Sequence, residues 1–160
     1  MPNKKTVLFV CTGNVCRSPM AAGLFYDKIT REDNNSAIRI RSAGIWALEG
    51  QFATAYARQV MSERDLDIDA HRGRNLAQRE VDDADLILVM TRRHAEIIRR
   101  DHKRSEGKVF LLSEIAGAFF DIADPYGGSL ADYRRTATEL AELVERGYPE
   151  ILRLLGERVP

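Results

Sequence analysis

The sequence predicts a three-layer αβα protein of the α/β class, with helices on both faces of a four-stranded parallel sheet. Three observations predict it. Four short apolar runs alternate with stretches of helical spacing, right-handed crossovers leave few other arrangements, and 160 residues at 44% hydrophobic content supply one core but not two. Residues 1–160 are therefore expected to form one domain, without internal repeat, low-complexity segment or linker. In such a sheet ligands sit at the carboxyl ends of the strands.

Lys5 to Val10 reads as a buried parallel strand that stops at the small and polar residues Cys11, Thr12, Gly13 and Asn14. A helix follows at once. Ser18 suits its N-cap, Pro19 its first position, and Ala21, Leu24, Phe25 and Lys28 one face, with an end near Arg31. Asp33-Asn34-Asn35-Ser36 is a turn, and Ile38-Arg39-Ile40-Arg41-Ser42 alternates like a second strand. Gly44 to Gln51 reads as a loop, Ala53 to Arg64 as a helix, and Asp69 to Arg74 as irregular. Asp85 to Met90 is the third strand. Arg92 to Lys103 then places Ala95, Ile98 and His102 at helical spacing, and Lys108 to Leu112 is the fourth strand. From Leu130 onward Tyr133, Ala137, Leu140, Ala141 and Val144 share one stripe, which predicts a long amphipathic helix broken or kinked at Gly147 and Pro149.

Twenty-four basic and twenty-four acidic side chains cancel, so nothing draws the whole chain to nucleic acid or an anionic membrane, and any anion site must be local. The longest apolar stretches, such as Val7 to Val10 and Leu86 to Met90, fall far short of the roughly 18 residues of a membrane span. Met1-Pro2-Asn3-Lys4-Lys5 runs into only about five apolar residues, where a secretory signal needs about 7 to 15, so a cytoplasmic location is expected. Two cysteines five positions apart cannot staple a framework and read as reactive thiols or packing residues. No His, Cys or carboxylate cluster has ligand spacing, so neither metal nor cofactor is expected.

The chemistry concentrates where the first strand ends. Cys11-Thr12-Gly13-Asn14-Val15-Cys16-Arg17-Ser18 places a thiol and a guanidinium six positions apart across a loop that opens into a helix. Gly13 and Asn14 tolerate left-handed backbone angles, so the loop can curl its N–H groups inward as an anion nest, and the helix N-terminus adds partial positive charge. A thiol there is expected to ionise readily, which makes Cys11 a nucleophile beneath a phosphate-sized dianion, while Arg17 grips two oxygens in bidentate fashion. The glycine spacing excludes a nucleotide-binding P-loop and a dinucleotide-binding fold.

Val-Leu-Phe-Val-Cys11-Thr-Gly-Asn-Val-Cys16-Arg17-Ser18-Pro19-Met20-Ala21 resembles the phosphate loop of the low-molecular-weight protein tyrosine phosphatases. Ser42-Ala43-Gly44, Ala84 to Leu88 leading into Met90-Thr91, and Asp124-Pro125-Tyr126-Gly127-Gly128 follow in the order that resemblance requires. It implies Cys11 as nucleophile, Arg17 as phosphate clamp and Asp124 as general acid, with Thr12 to Cys16 and Ser18 around the phosphate. One carboxyl that protonates the leaving group and then activates water suits both half-reactions. Ser18 is expected to support the thiolate, and Asn14, Ser42 and His71 look like the family's network holding the loop, although His71 also fits an ordinary interior or surface histidine. Trp46 and Tyr126 read either as walls around a phosphotyrosine ring or as packing residues. His94 and His102 lie among Arg92, Arg93, Arg99, Arg100, Lys103 and Arg104 and read first as part of a solvated face, with docking to an acidic partner as the second reading.

The resemblance also implies a protective Cys11–Cys16 disulfide under oxidation. Phosphotyrosine enzymes of the family carry Asn-Ile-Cys where this chain has Asn14-Val15-Cys16, and its phosphoarginine phosphatases carry Asn-Thr-Cys; valine matches neither. The expected partner is a phosphorylated protein, with phosphotyrosine first and phosphoarginine second, acted on by a monomer or weak dimer. Arsenate reduction would need cysteines after Cys16, and none follows. A non-catalytic anion-binding module is the remaining alternative.

Overall fold

The computed structural model describes residues 4–33 and 37–156; Asn34 to Ser36 of the expected turn lie outside them. The elements in chain order are β1 (Lys5–Cys11), α1 (Arg17–Arg31), β2 (Ile38–Gly44), α2 (Ala55–Ser62), α3 (Gln78–Asp83), β3 (Leu86–Val89), α4 (Arg92–Asp101), β4 (Val109–Leu111), α5 (Leu112–Ile115) and α6 (Leu130–Leu155). All strand pairs are parallel, in the order β2-β1-β3-β4.

Side chains alternate across a strand, so β1 feeds two cores. Val7 and Phe9, with Leu86 and Leu88 of β3, pack against α1, α2, α5 and α6. Leu8 and Val10, with Ile87 and Val89, pack against α3 and α4. Burial on both faces is why these two strands are continuous apolar runs. Phe25 joins the layers, its ring 5.7 Å from Phe9 and 6.2 Å from Tyr148 of α6. β1 and β3 are neighbours, yet α1 and α4 leave them toward opposite faces, and their diverging exits open a crevice at the carboxyl end of the sheet.

Four expectations need correcting. Cys16, not Ser18, is the N-cap of α1, and Pro19 sits at the third helical position, where its missing N–H still costs no helical bond. The helix expected over Ala53 to Arg64 is shorter, because Thr54 caps it by accepting from Ala57 N. The last helix runs unbroken through Pro149: the proline forgoes one backbone bond, but buried Tyr148, Ile151, Leu152 and Leu155 fix both sides. Gly147 there admits α5, since an added Cβ would meet Ile115 Cγ2 at 3.2 Å. Finally, α3 and α5 went unforeseen because elements of six and four residues show no period. Among the described residues no helix is long and apolar enough to cross a membrane.

Candidate active site

Thr12 to Cys16 join β1 to α1, and the loop is built from the outside inward. Cys11 O accepts from Ile45 N, Thr12 O from Trp46 N and Val15 O from Thr54 N, each at 3.0 Å. Asn14 O accepts from His71 Nε2 at 2.7 Å. With these carbonyls engaged by surrounding segments, the N–H groups of Gly13 through Arg17 have no partner among the described residues and remain for a ligand. Of the two residues able to turn left-handed, Asn14, at φ 57°, supplies the turn, and Gly13 does not adopt it. Gly44 is needed beside the loop, because an added Cβ would lie 2.6 Å from Thr12 O and 2.9 Å from Asn14 N.

Asn14 is fully buried and its amide orientation follows from its partners. Oδ1 accepts from Arg74 N at 2.9 Å, so Nδ2 donates to Ser18 Oγ at 2.8 Å and Ser42 Oγ at 3.0 Å. Ser18 thereby keeps its own proton for Cys11 Sγ, 2.9 Å away. The structure thus brings together Asn14, Ser18, Ser42 and His71. Burial pushes the His71 ring below its ordinary value; the bond to the Asn14 carbonyl opposes this, and the charges of Arg74 and Arg72 reinforce it. Since a carbonyl only accepts, the proton is on Nε2.

The two thiols have opposite surroundings. Cys16 Sγ lies 3.2 Å from Tyr133 Oη and 3.6 Å from Thr54 Oγ1, and burial pushes its thiol up despite those two bonds. Cys11 Sγ instead faces the Ser18 hydroxyl, and both cysteines line the pocket. Arg17, 4% exposed, donates from Nη1 to Ile122 O at 2.8 Å and from Nη2 to Thr12 Oγ1 at 3.4 Å; its Nε has no partner. Ile122 N is itself pinned to Met90 O at the end of β3, which ties the Asp124 segment to the sheet. Asp124 Oδ2 reaches to 3.4 Å from Arg17 Nη2, and Oδ1 accepts from Tyr126 N.

These groups line a pocket of about 250 Å³, Cys11 through Gly13, Val15 through Arg17, Gln51 and Asp124 among them. Trp46, Leu48 and Tyr126 complete the lining, each about two-thirds exposed, so both expected aromatics are rim residues rather than core packing. Four larger clefts, of about 440, 370, 320 and 270 Å³, contain no thiol. Among the described residues no group of three or more His, Cys, Asp or Glu is placed to hold a metal ion.

His94 overturns the expectation of a solvated face. It is 4% exposed, held by Thr91 Oγ1 at the start of α4, and its Nε2 lies 2.9 Å from Thr12 Oγ1. Burial, with the Arg17 charge adding, pushes its pKa down to about 4 against the pull of Asp124 and Asp121. His102 is the C-cap of α4 and meets Gln78 Oε1, while Arg92, Arg93 and Arg100 form exposed pairs with Asp121, Glu96 and Asp101. Sequence reasoning also missed Thr54 and Ile122, which carry no signal alone, and saw Tyr133 only as stripe.

Comparison with known proteins agrees with this geometry. The family described as low molecular weight phosphotyrosine protein phosphatase matches residues 6–154. The chain belongs to this family. It is 40% identical to the protein-arginine-phosphatase of Bacillus subtilis (strain 168), over 88% of this chain and 92% of that one. It is also 40% identical to the probable low molecular weight protein-tyrosine-phosphatase EpsP of Ralstonia nicotianae, over 89% and 90%. Among solved structures, the YwlE arginine phosphatase mutant with a phosphorylated active-site serine superimposes with a TM-score of 0.86 at 38% identity, covering 92% of this chain and 95% of that one. The phosphatase is accordingly a phosphoric monoester hydrolase.

Proposed function

We propose that this phosphatase removes phosphate from tyrosine in proteins through a cysteinyl-phosphate intermediate. One observation carries the reading: a loop-held thiol, a buried guanidinium with a free Nε and a carboxylate at the mouth converge on one 250 Å³ pocket. Cys11 is the nucleophile rather than Cys16, because Cys11 has the Ser18 hydroxyl and the open donors of the loop about it, whereas burial holds Cys16 as a thiol.

The phosphoryl dianion displaces Asp124 from Arg17 and takes the guanidinium and the N–H groups of Gly13 to Arg17 as donors to its equatorial oxygens. Cys11 Sγ attacks phosphorus; the P–S bond forms as the P–O bond to the phenol breaks, and Asp124 gives its proton to the departing oxygen. In the second half, Asp124 takes a proton from water, the water oxygen attacks phosphorus, and the P–S bond breaks to release inorganic phosphate and the thiolate. Thr12, Val15 and Ser18 shape the cradle, and Asn14, Ser42 and His71 hold it. The site is expected to lie within one domain and to work in the cytoplasm; both cysteines are free.

Phosphotyrosine is favoured because the side and rim present Val15, Trp46, Leu48 and Tyr126, apolar and aromatic surface that suits a flat ring. Phosphoarginine is the second reading, on two observations: Val15 on the pocket wall is isosteric with threonine, and two relatives at 40% and 38% identity are arginine phosphatases. Rates on matched phosphotyrosine and phosphoarginine peptides, in wild type, Val15→Thr and Val15→Ile, decide between them. The proposal expects the higher kcat/KM on phosphotyrosine and a further gain in Val15→Ile; a wild-type preference for phosphoarginine overturns it in favour of the second reading.

A further inference from the structure

His94 has two ring nitrogens and one satisfied bond. Nδ1 is buried with no hydrogen-bond partner among the described residues, a costly position for a polar atom. A leucine or methionine would fill the same space without that cost, so what the imidazole contributes is Nε2, 2.9 Å from Thr12 Oγ1. Thr12 is also where Arg17 Nη2 rests, at 3.4 Å, while Arg17 Nη1 is fixed on Ile122 O. The guanidinium is thus tethered at both terminal nitrogens. One tether is backbone, and the other is a hydroxyl whose rotation is free unless something beyond it holds it.

We infer that His94 is a positioning residue: through Nε2 it fixes the Thr12 hydroxyl and so orients the Arg17 guanidinium toward the phosphoryl oxygens. The inference rests on the proposed role of Arg17 as clamp. Thr12 accepts from Arg17 and donates its own proton to Nε2, an arrangement open only to a neutral ring. Arg17 from α1 and the burial of the ring keep it neutral, against Asp121 and Asp124 from the segment before α6. The residue reaches the loop because α4 starts where β3 ends, at the carboxyl edge that β1 shares.

A double-mutant cycle tests this, using wild type, His94→Ala, Thr12→Val and the double variant, each assayed for kcat and KM on p-nitrophenyl phosphate and for competitive inhibition by inorganic phosphate. Each single change is expected to weaken phosphate binding and kcat/KM about tenfold, and the double variant to be no worse than either single one. His94→Gln, whose amide reaches the position of Nε2, is expected to recover to within about threefold of wild type, whereas His94→Asn, which stops near Nδ1, does not. Additive losses in the double variant overturn the inference. So does a Gln variant no better than Asn, or phosphate inhibition unchanged while thermal stability alone falls. If His94→Ala does not fold, the Gln and Asn pair in wild-type and Thr12→Val backgrounds carries the same test. A wild-type protein that fails to hydrolyse the ester removes the proposed function, yet the same cycle read by calorimetric titration with inorganic phosphate still reports on His94.

Discussion

The floor and the rim of the pocket are made by different rules. On the floor the side chains are held in place: Asn14 makes three side-chain hydrogen bonds while fully buried, Arg17 is anchored by Ile122 O and Thr12, and Ser18 offers its proton to Cys11. On the rim, Trp46, Leu48 and Tyr126 stand out in solvent. A preorganised floor serves a step in which charge shifts among fixed oxygens, because donors already in place need no rearrangement as the bond breaks. A loose apolar rim serves capture of the group that carries the phosphate, where area counts more than angle. Floor substitutions should therefore change kcat or the fold itself, and rim substitutions KM.

The sharpest way to break that division is at the thiols. Cys11→Ser is expected to lower kcat roughly 10⁴-fold or more, and Cys16→Ser by less than about tenfold, in steady-state assays with p-nitrophenyl phosphate. The reverse order would contradict the assignment. Asp124→Ala should lower kcat/KM for poor leaving groups about 10²- to 10³-fold and that for p-nitrophenyl phosphate far less, while inorganic phosphate inhibits within about threefold of wild type; an equal fall in kcat/KM for all leaving groups argues against a proton donor. Asn14→Ala should lower unfolding free energy by about 3 kcal/mol in urea titrations, since it unpairs Arg74 N and the Ser42 hydroxyl and removes a residue suited to φ 57°.

The buried histidine at the floor predicts a pH effect of comparable size. His94 is held near 4 when folded and returns to about 6.5 when unfolded, so the unfolded chain binds the extra proton first. Stability is full above pH 6.5 and declines as pH falls toward 4, by about 2 to 3 kcal/mol at the lower end, and His94→Gln should flatten that slope in denaturant titrations. The smallest effects belong to the rim: Trp46→Ala and Tyr126→Ala are each expected to raise KM for a phosphotyrosine peptide about three- to tenfold, with kcat within about twofold. A kcat loss larger than the KM rise at either position would erase the distinction between the two regions.

The sequence showed the floor and only part of the rest. Between Cys11 and Ser18 the residue types carry their own conformational meaning: a strand end, an asparagine able to turn left-handed, and a helix start facing an anion. Even there the site overrode a local preference, since Ser18 turns its hydroxyl to Cys11 instead of capping α1. His94 was hidden by its neighbours. Four arginines on the same helix suggest a wet face, and only the packing of α4 against the β1 loop reveals that this one position points inward. Pro149 misled in the opposite way, because its local cost is offset by burial that belongs to the tertiary structure.

The central claim is that phosphorus is carried on Cys11. Mixing Asp124→Ala with p-nitrophenyl phosphate, quenching rapidly in acid and mapping peptides by mass spectrometry tests it directly, because the good leaving group needs no acid while water attack lacks its base. One phosphoryl group on the peptide containing Cys11, absent in Cys11→Ser and present in Cys16→Ser, is the expected result. Burst release of nitrophenol with no phosphorylated cysteine, or with the label on Cys16, would contradict the account.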